Sequence, residues 1–87
     1  MTNLPTFYNL PNEQREAMLF IVGYIKANSR SPSLEDIAAH RERHIPAVHQ
    51  TVKKLKQKGW LTYERHTARS IALTEKAMAE IKEDENG

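Results

Sequence analysis

The sequence I-P-A-V-H-Q-T-V-K-K-L-K-Q-K-G-W, at residues 45–60, decides the fold of this chain. At about 100° per residue on a helix, Val48, Val52 and Leu55 fall within about 60° of one another. These three side chains form a narrow apolar stripe that one small core can cover. We therefore predict a helix over residues 46–58 that packs on the rest of the chain through this stripe.

Both ends of this helix are marked in the sequence. Pro46 suits the first turn, where its missing N–H needs no partner, and Gly59 suits the position just past the end. The remaining faces hold amides, an imidazole and ammonium groups and no acidic residue: His49, Gln50, Lys53, Lys54, Lys56, Gln57 and Lys58. In the DNA major groove Gln pairs with adenine, and Lys pairs with guanine or phosphate. Basic amphipathic helices are also common as solvated surface, so the helix by itself leaves both interpretations open.

Size and composition restrict the possible functions. The 87 residues suffice for one domain with a modest core, and the absence of cysteine excludes disulfides, thiolate zinc sites and cysteine nucleophiles. The longest apolar run, residues 18–22, is far shorter than the roughly twenty residues of a membrane span, and the amino terminus lacks a signal-peptide pattern. We expect a soluble cytoplasmic protein without a membrane contact.

The charge is unevenly distributed along the chain, although the formal net charge is +2. Residues 1–40 carry three basic and four acidic side chains, residues 41–69 carry eight and two, and residues 70–87 carry two and five. The positive field is thus expected around one contiguous third of the sequence. This basic third, residues 41–69, is the candidate binding surface.

The amino-terminal part predicts an arm followed by a helix. Residues 1–11 show no sustained period, and the apolar residues of this irregular arm are Leu4, Phe7, Tyr8 and Leu10. Asn12 is placed to cap a helix that reaches about Ala27. Its predicted core face consists of Ala17, Phe20, Ile21, Tyr24 and Ile25. Met18 and Val22 add more apolar width than one core needs, so we expect them to contact the arm, the carboxyl-terminal segment or a partner subunit.

The next segment predicts a helix-turn-helix unit. Ser33 and Asp36 have the spacing of a capping box for a short helix over residues 34–40. Its buried side is expected to contain Leu34, Ile37 and Ala38. The polar residues 41–45 then lead directly into the basic helix, and two helices joined by so short a turn are typical of this unit.

After Gly59 the pattern changes from helical spacing to short runs of strand-forming residues. Residues 60–63 and 70–73 predict two strands, and residues 64–69, E-R-H-T-A-R, predict the connection between them. A hairpin that follows a helix-turn-helix unit is a wing. Thr74 is placed to cap a last helix that gives way to an acidic tail. The apolar face of this last helix contains Ala77, Met78 and Ile81.

The predicted fold class is mainly α with a small β-hairpin, a winged helix-turn-helix. One domain divides into an arm at 1–11, a three-helix core with its wing at 12–73, and a carboxyl-terminal helix with an acidic tail at 74–87.

This order of elements resembles that of winged-helix DNA-binding domains, and the sequence is most similar to the amino-terminal domain of LexA repressors. The residues that carry the resemblance are Gln14 and Glu16, S-P-S-L-E-D-I-A at 31–38, L-K-Q-K-G at 55–59 and Arg69. It covers about residues 10–73. The run L-T-E-K-A at 73–77 resembles the junction between wing and last helix in MarR-type regulators, which dimerise through terminal helices.

The sequence departs from the LexA pattern in two respects. We expect the chain to lack the self-cleaving dimerisation domain of that family, and therefore expect no cleavage triggered by DNA damage. Residues 41–46 and the first residues of the basic helix also differ, so the operator sequence of the family does not carry over.

Other chemistry receives little support from the sequence. His40 and His44 have a metal-ligand spacing, but a turn is predicted between them and no cysteine or aspartate cluster completes a site, so no metal is expected. Serines at 29, 31 and 33 and Thr67 lie in predicted turns, and the three glycines form no phosphate-binding loop. We therefore expect neither an enzyme nor a cofactor.

The sequence thus predicts sequence-specific binding of double-stranded DNA by a small transcriptional regulator, a repressor. The helix over 46–58 would enter the major groove, and the wing over 64–69 would contact the backbone or the minor groove. The expected base-reading residues are His44, Ala47, His49, Gln50 and Lys53. The expected phosphate contacts are Lys53, Lys54, Lys58, Arg65 and Arg69, with His66 and Thr67 beside them in the wing.

Two further expectations concern partners. A homodimer is predicted through the arm, the first helix and the last helix, because one recognition helix gives few base contacts. The alternative function is a winged helix that binds another protein and no DNA, since a fold does not fix a function.

Overall fold

The computed structural model describes residues 6–86, with side chains described as far as residue 82. Within that part of the chain the elements are a 3₁₀ turn Thr6–Asn9, α1 Asn12–Asn28, α2 Leu34–Arg41, α3 Ile45–Gln57, β1 Leu61–Thr62, β2 Ala72–Leu73 and α4 Glu75–Asn86. The two strands form an antiparallel hairpin with Leu61 opposite Leu73 and Thr62 opposite Ala72. The predicted fold class, a mainly helical winged helix, is confirmed.

The predicted stripe of α3 forms the centre of the core. Val48, Val52 and Leu55 are buried, and both α1 and α2 pack against this helix. Pro46 lies in the first turn, and Gly59 follows the helix with φ of 84°, a left-handed conformation that favours glycine. Both end signals of the sequence are thus confirmed.

The first helix differs from its prediction in its cap and in its buried face. Pro11 occupies the N-cap position, and the side chain of Asn12 accepts a hydrogen bond from Arg15 instead of capping the helix. Met18 and Ile21 are fully buried, whereas Phe20 is half-buried. Met18 is buried within its own chain, so of the three contacts expected for it a partner subunit is excluded, because the 3₁₀ turn and α3 together cover more of α1 than a single neighbouring helix would.

The second helix follows its prediction closely. The Ser33 hydroxyl accepts a hydrogen bond from the Asp36 N–H at 3.0 Å, and the Asp36 carboxylate accepts one from the Ser33 N–H at 2.9 Å. Ile37 and Ala38 are buried against the core, as predicted, whereas Leu34 is half-buried. The helix ends at Arg41 and is followed by Glu42, whose φ of 53° turns the chain towards α3.

The hairpin is shorter than predicted, because side chains replace part of its backbone ladder. The Ser70 hydroxyl accepts a hydrogen bond from the Glu64 N–H and donates one to the Glu64 carbonyl, each at 2.9 Å. The Tyr63 carbonyl accepts a hydrogen bond from Lys56 Nζ at 3.0 Å. These contacts close the base of the wing without further strand pairing.

Both terminal segments pack on the core. Phe7 is buried and meets the ring of Trp60 edge to face at 5.6 Å, and Trp60 is itself 4% exposed. Thr6 donates two hydrogen bonds of 2.7 Å to the Glu80 carboxylate, which fixes the 3₁₀ turn against α4. Residues 6–9 form a 3₁₀ turn where the sequence predicted an irregular arm, and Leu4 lies outside the described residues.

The last helix begins where it was predicted but extends further. The Ala77 N–H donates to the Thr74 hydroxyl at 3.2 Å, as expected for the capping residue. Ala77 is buried, whereas Met78 is 50% exposed. The helix continues to Asn86, so the prediction of a tail that leaves the helix is wrong for the backbone up to that residue.

Candidate nucleic-acid interface

The face of α3 that points away from the core is polar and basic. Gln50, Lys53, Lys54 and Gln57 lie within an arc of about 100° on this face, and all four are exposed. Within residues 6–82, the side chains of Lys53 and Lys54 form no hydrogen bond and no ion pair. Their ammonium groups are thus available to a ligand on this side of the molecule.

The wing stands beside this helix across a groove of about 600 Å³. One wall consists of Ile45, Pro46 and His49 from α3, and the opposite wall consists of the wing and the residues after it, while residues 32–35 at the start of α2 also line the groove. Arg65, His66 and Thr67 are exposed at the wing tip and line the same groove. The helix face and the wing tip therefore border one continuous surface.

The predicted base-reading residues occupy three different positions. Gln50 and Lys53 lie on the outward face, and His44 and Ala47 are exposed at the start of α3, where His44 is the N-cap residue and makes no capping hydrogen bond through its side chain. His49 is half-buried and meets the Tyr63 ring edge to face at 5.7 Å. His49 thus belongs to the groove wall rather than to the outward face.

Two lysines, Lys56 in α3 and Lys58 directly after it, are held by the protein. Lys58 Nζ donates a hydrogen bond to Oε1 of the buried Gln14 at 2.5 Å, and Lys56 Nζ donates to the Tyr63 carbonyl. Their ammonium groups therefore point to α1 and to the hairpin. Lys58 is placed differently from the free Lys53 and Lys54.

Arg69 is also held by the protein, at the point where the wing returns to β2. Its Nη1 donates hydrogen bonds to the Ser31 carbonyl at 2.9 Å, to Asp36 Oδ2 at 3.0 Å and to the Tyr24 hydroxyl at 3.2 Å. The Ser33 N–H and the Arg69 guanidinium both hold the pKa of Asp36 below its usual range, the first of them more strongly. Arg69 thus joins the wing to α1 and α2.

A second arginine cluster, which the sequence did not predict, flanks α3 on the side away from the wing. Arg41 and Arg43 both donate to Oε1 of Glu13, at 2.7 and 2.9 Å. The hydrogen bond from Arg41 is the main reason that the pKa of Glu13 lies below its usual value. This cluster fixes the turn of the helix-turn-helix unit to the first turn of α1.

The histidines show other contacts than metal binding. His40 stacks on the Phe20 ring with centroids 4.2 Å apart, and His49 contacts Tyr63. Within the described part of the chain, no three histidine, aspartate or glutamate side chains gather where they could hold a metal ion. The expectation of no metal site stays a prediction.

The amino-acid sequence is similar to those of proteins named LexA repressors. No protein-family model matches the chain. It is 37% identical to a LexA repressor of Thermosipho africanus over 67 residues, which are 77% of this chain and 34% of that protein. A LexA repressor of Thermosipho melanesiensis is 36% identical over the same shares. LexA repressor 1 of Geobacter sulfurreducens is 35% identical over 74% of the chain and 32% of its own length.

The chain is a LexA-like winged-helix domain. It spans about a third of the length of the curated relatives it matches. Among residues 6–86 of the LexA-like domain, no helix is long and apolar enough to cross a membrane.

Proposed function

We propose that the LexA-like domain binds double-stranded DNA in a sequence-specific manner and acts as a transcriptional repressor. The observation that carries this proposal is that the outward face of α3 and the tip of the wing lie beside one groove. The outward face of α3 holds two free lysines and no acidic residue, and the exposed Arg65 lies across the adjoining groove. The similarity to proteins named LexA repressors supports the same function.

In the proposed complex, α3 lies in the major groove and the wing contacts the backbone or the minor groove. Gln50 and Lys53 face base edges, with His44 and Ala47 at the front of the helix. Lys53, Lys54 and Arg65 supply free cations for phosphates, because no carboxylate of the described chain neutralises them. His66 and Thr67 add hydrogen-bonding groups at the wing tip.

Selection from a random duplex pool, followed by fluorescence anisotropy on the enriched sequence between about 50 and 200 mM salt, tests the proposal. With three to five phosphate contacts per protomer, log affinity should fall against log salt with a slope of about −3 to −4.5. A pool without enrichment, or a flat salt response, would contradict DNA binding and favour a winged helix that docks on a protein.

We also propose that the domain works as a homodimer on an inverted repeat, with half-sites about one helical turn apart. The half-exposed Met78 on α4 and the half-buried Tyr8 and Leu10 are the apolar side chains that support such a contact. The surface is narrower than the sequence predicted, because Phe7 and Met18 are buried within their own chain. Sedimentation at micromolar concentrations tests it. A monomer that binds single half-sites as tightly as paired ones would contradict it.

Three smaller proposals follow from the same function. The first is that the described residues act by binding and not by catalysis. The second is that the chain works as one domain, in which the arm ends at residue 11 and the core ends at residue 73. The third is that the protein is cytoplasmic and associated with the nucleoid. The contact of Phe7 with Trp60 supports the single domain, because it packs the amino-terminal segment on the core.

A further inference from the structure

The base of the wing depends on contacts outside the hairpin. Strand pairing is limited to Leu61 with Leu73 and Thr62 with Ala72. A two-stranded ribbon of this length has little stability of its own. The position of the wing relative to α3 must therefore come from other contacts.

Arg69 provides several of those contacts, in addition to the hydrogen bond from Lys56 to the Tyr63 carbonyl. Its Nη1 donates to Tyr24 on α1, to the Ser31 carbonyl before α2 and to Asp36 in the first turn of α2. The Arg69 carbonyl in turn accepts a hydrogen bond from the Ser31 hydroxyl at 2.6 Å. One residue of the wing is thus bonded to two helices of the core.

The acceptors are themselves fixed in place. Asp36 belongs to the capping box of α2 and accepts from the Ser33 N–H through Oδ2, the same oxygen that accepts from Arg69. Tyr24 lies on α1 beside Phe20, with ring centroids 5.8 Å apart. Because these acceptors belong to packed helices, the contacts can define an orientation rather than follow a mobile loop.

The backbone of Arg69 is strained, and this strain supports a structural role for its side chain. Its φ is 52°, a left-handed conformation that costs energy for a residue with a Cβ and that glycine would adopt more easily. Strain of this kind persists where the surrounding contacts over-determine the conformation. Here the contacts of the guanidinium and of the carbonyl provide that determination.

We propose that Arg69 is a positioning residue that holds the wing across the groove from α3, and that its guanidinium does not serve as a phosphate contact. This inference rests on the proposed DNA binding for its effect on affinity. It differs from the prediction made from the sequence, in which Arg69 was one of five phosphate contacts. Arg65 and Arg69 are both exposed and both line the groove, but within residues 6–82 the Arg65 guanidinium has no hydrogen-bond partner, so Arg65 is the cation that the fixed wing presents to a ligand.

Neutralising Asp36 distinguishes the two roles by the sign of the effect. If Arg69 contacted phosphate, Asp36→Asn would free its charge and raise DNA affinity. If Arg69 positions the wing, the same substitution loosens the wing and lowers affinity, by about fivefold or more. The matched control is Glu35→Gln, which removes one negative charge from the same helix turn at an exposed residue that also lines the groove. This control should raise affinity slightly.

A double-mutant cycle with Arg65→Ala separates wing positioning from general loss of structure. With Arg65 replaced, the wing no longer carries its main cation for phosphate, so Asp36→Asn should change affinity by less than about twofold. An equal reduction in both backgrounds would overturn the proposal, and so would a rise in affinity with Asp36→Asn. Thermal unfolding of each variant ensures that the folded protein is compared.

A measurement without DNA keeps the inference testable if the proposed function fails. Backbone ¹⁵N relaxation should show rigid amides over residues 64–69 in the wild type, and order parameters that fall toward about 0.6 in Asp36→Asn but not in Glu35→Gln. A wild type that binds no duplex contradicts the proposed function alone. Unchanged wing order parameters in Asp36→Asn would overturn the positioning role of Arg69.

Discussion

The lysines of α3 and the arginines around it carry equal charge in the sequence but occupy different environments in the structure. Lys53 and Lys54 are exposed and form no ion pair within the described residues. Arg41 and Arg43 share the carboxylate of Glu13, and a third arginine, at 69, is bonded to Asp36. The charges of Lys53 and Lys54 are therefore free, whereas much of the positive charge of the arginines is neutralised.

The chemistry of the two side chains explains this division. The arginine guanidinium is planar and presents several donors in a fixed arrangement, so it can join two or three acceptors at once, as Arg69 does. Lysine ends in a compact, strongly hydrated charge on a flexible stem, which suits an exposed contact with phosphate. The formal charge of +6 over residues 41–69 therefore overstates the field available to a ligand.

The largest expected effect tests the free lysines. Replacing Lys53 and Lys54 together by alanine should lower DNA affinity tenfold to a hundredfold, because each of these residues supplies about one phosphate contact. For the same reason the salt slope should become shallower by about two. Fluorescence anisotropy across a salt series measures both quantities.

The matched control for that variant is Arg41→Ala with Arg43→Ala. It removes the same formal charge from the basic third, but from side chains that already share a carboxylate. Its salt slope should change by less than about one. Equal changes of slope in the two double variants would show that ion pairing within the protein does not decide which cations act.

The next prediction separates base reading from phosphate contact on one face of α3. Gln50→Ala should cost about 1–3 kcal/mol on the selected sequence and relax the preference at one base pair, because an amide pairs with an adenine edge. Lys54→Ala should weaken all duplexes alike. Repeating the pool selection with each variant measures the two profiles, and indistinguishable profiles would contradict the assigned roles.

Lys58 provides a test within the lysines themselves. It was predicted as a phosphate contact, but its ammonium group donates to the buried Gln14. Lys58→Ala should lower the free energy of unfolding by about 1–2 kcal/mol, because it leaves a buried amide without its partner. Urea denaturation measures this change, with Lys54→Ala as the control that should leave stability unchanged. If the stability of Lys58→Ala were unaltered, the hydrogen bond to Gln14 would not hold the ammonium group of Lys58, and this residue would be free like Lys53 and Lys54.

The elements of the fold could be predicted because their signals are local. The Ser33 and Asp36 spacing, the Val48, Val52 and Leu55 stripe and Gly59 each act within a few residues. The buried face of α1 could not be predicted, because it depends on a turn and a helix that are distant in the sequence. The predicted length of the two strands was wrong for a related reason, because the Ser70 hydroxyl replaces backbone pairing at the base of the wing.

The candidate site was predictable in outline but not in its internal contacts. The outward face of α3 followed from helical geometry. The partners of Arg41 and Arg69 lie 28 and 33 residues away along the chain, so no spacing pointed to them. One signal was nevertheless present. Within the basic third the arginines occupy the turn and the wing, whereas every lysine lies in or next to α3, and this separation of residue types matches the structural one.

The smallest expected effect concerns pH and the carboxylates that hold the arginines. The pKa of Glu13 is lowered, chiefly by the hydrogen bond from Arg41, so its folded state favours the ionised form more than the unfolded state does. The stability that this carboxylate contributes is therefore present above its unfolded pKa, near 4.3, and disappears as pH falls through the lower folded value. Because the pair is partly exposed, the contribution should be about 1 kcal/mol or less.

Glu13→Gln should accordingly lower the free energy of unfolding at pH 7 and make it fall less between about pH 5 and pH 3 than in the wild type. Urea denaturation across that range measures the slope. The matched control is Glu16→Gln in the same helix, at a residue without an ion pair in the described chain. If both variants changed the pH dependence equally, the destabilisation in acid would reflect general protonation of carboxylates. A change confined to Glu13→Gln would instead show that Arg41 and Arg43 stabilise the fold. Lys53 and Lys54 would then remain the charges of this region that are available to a ligand.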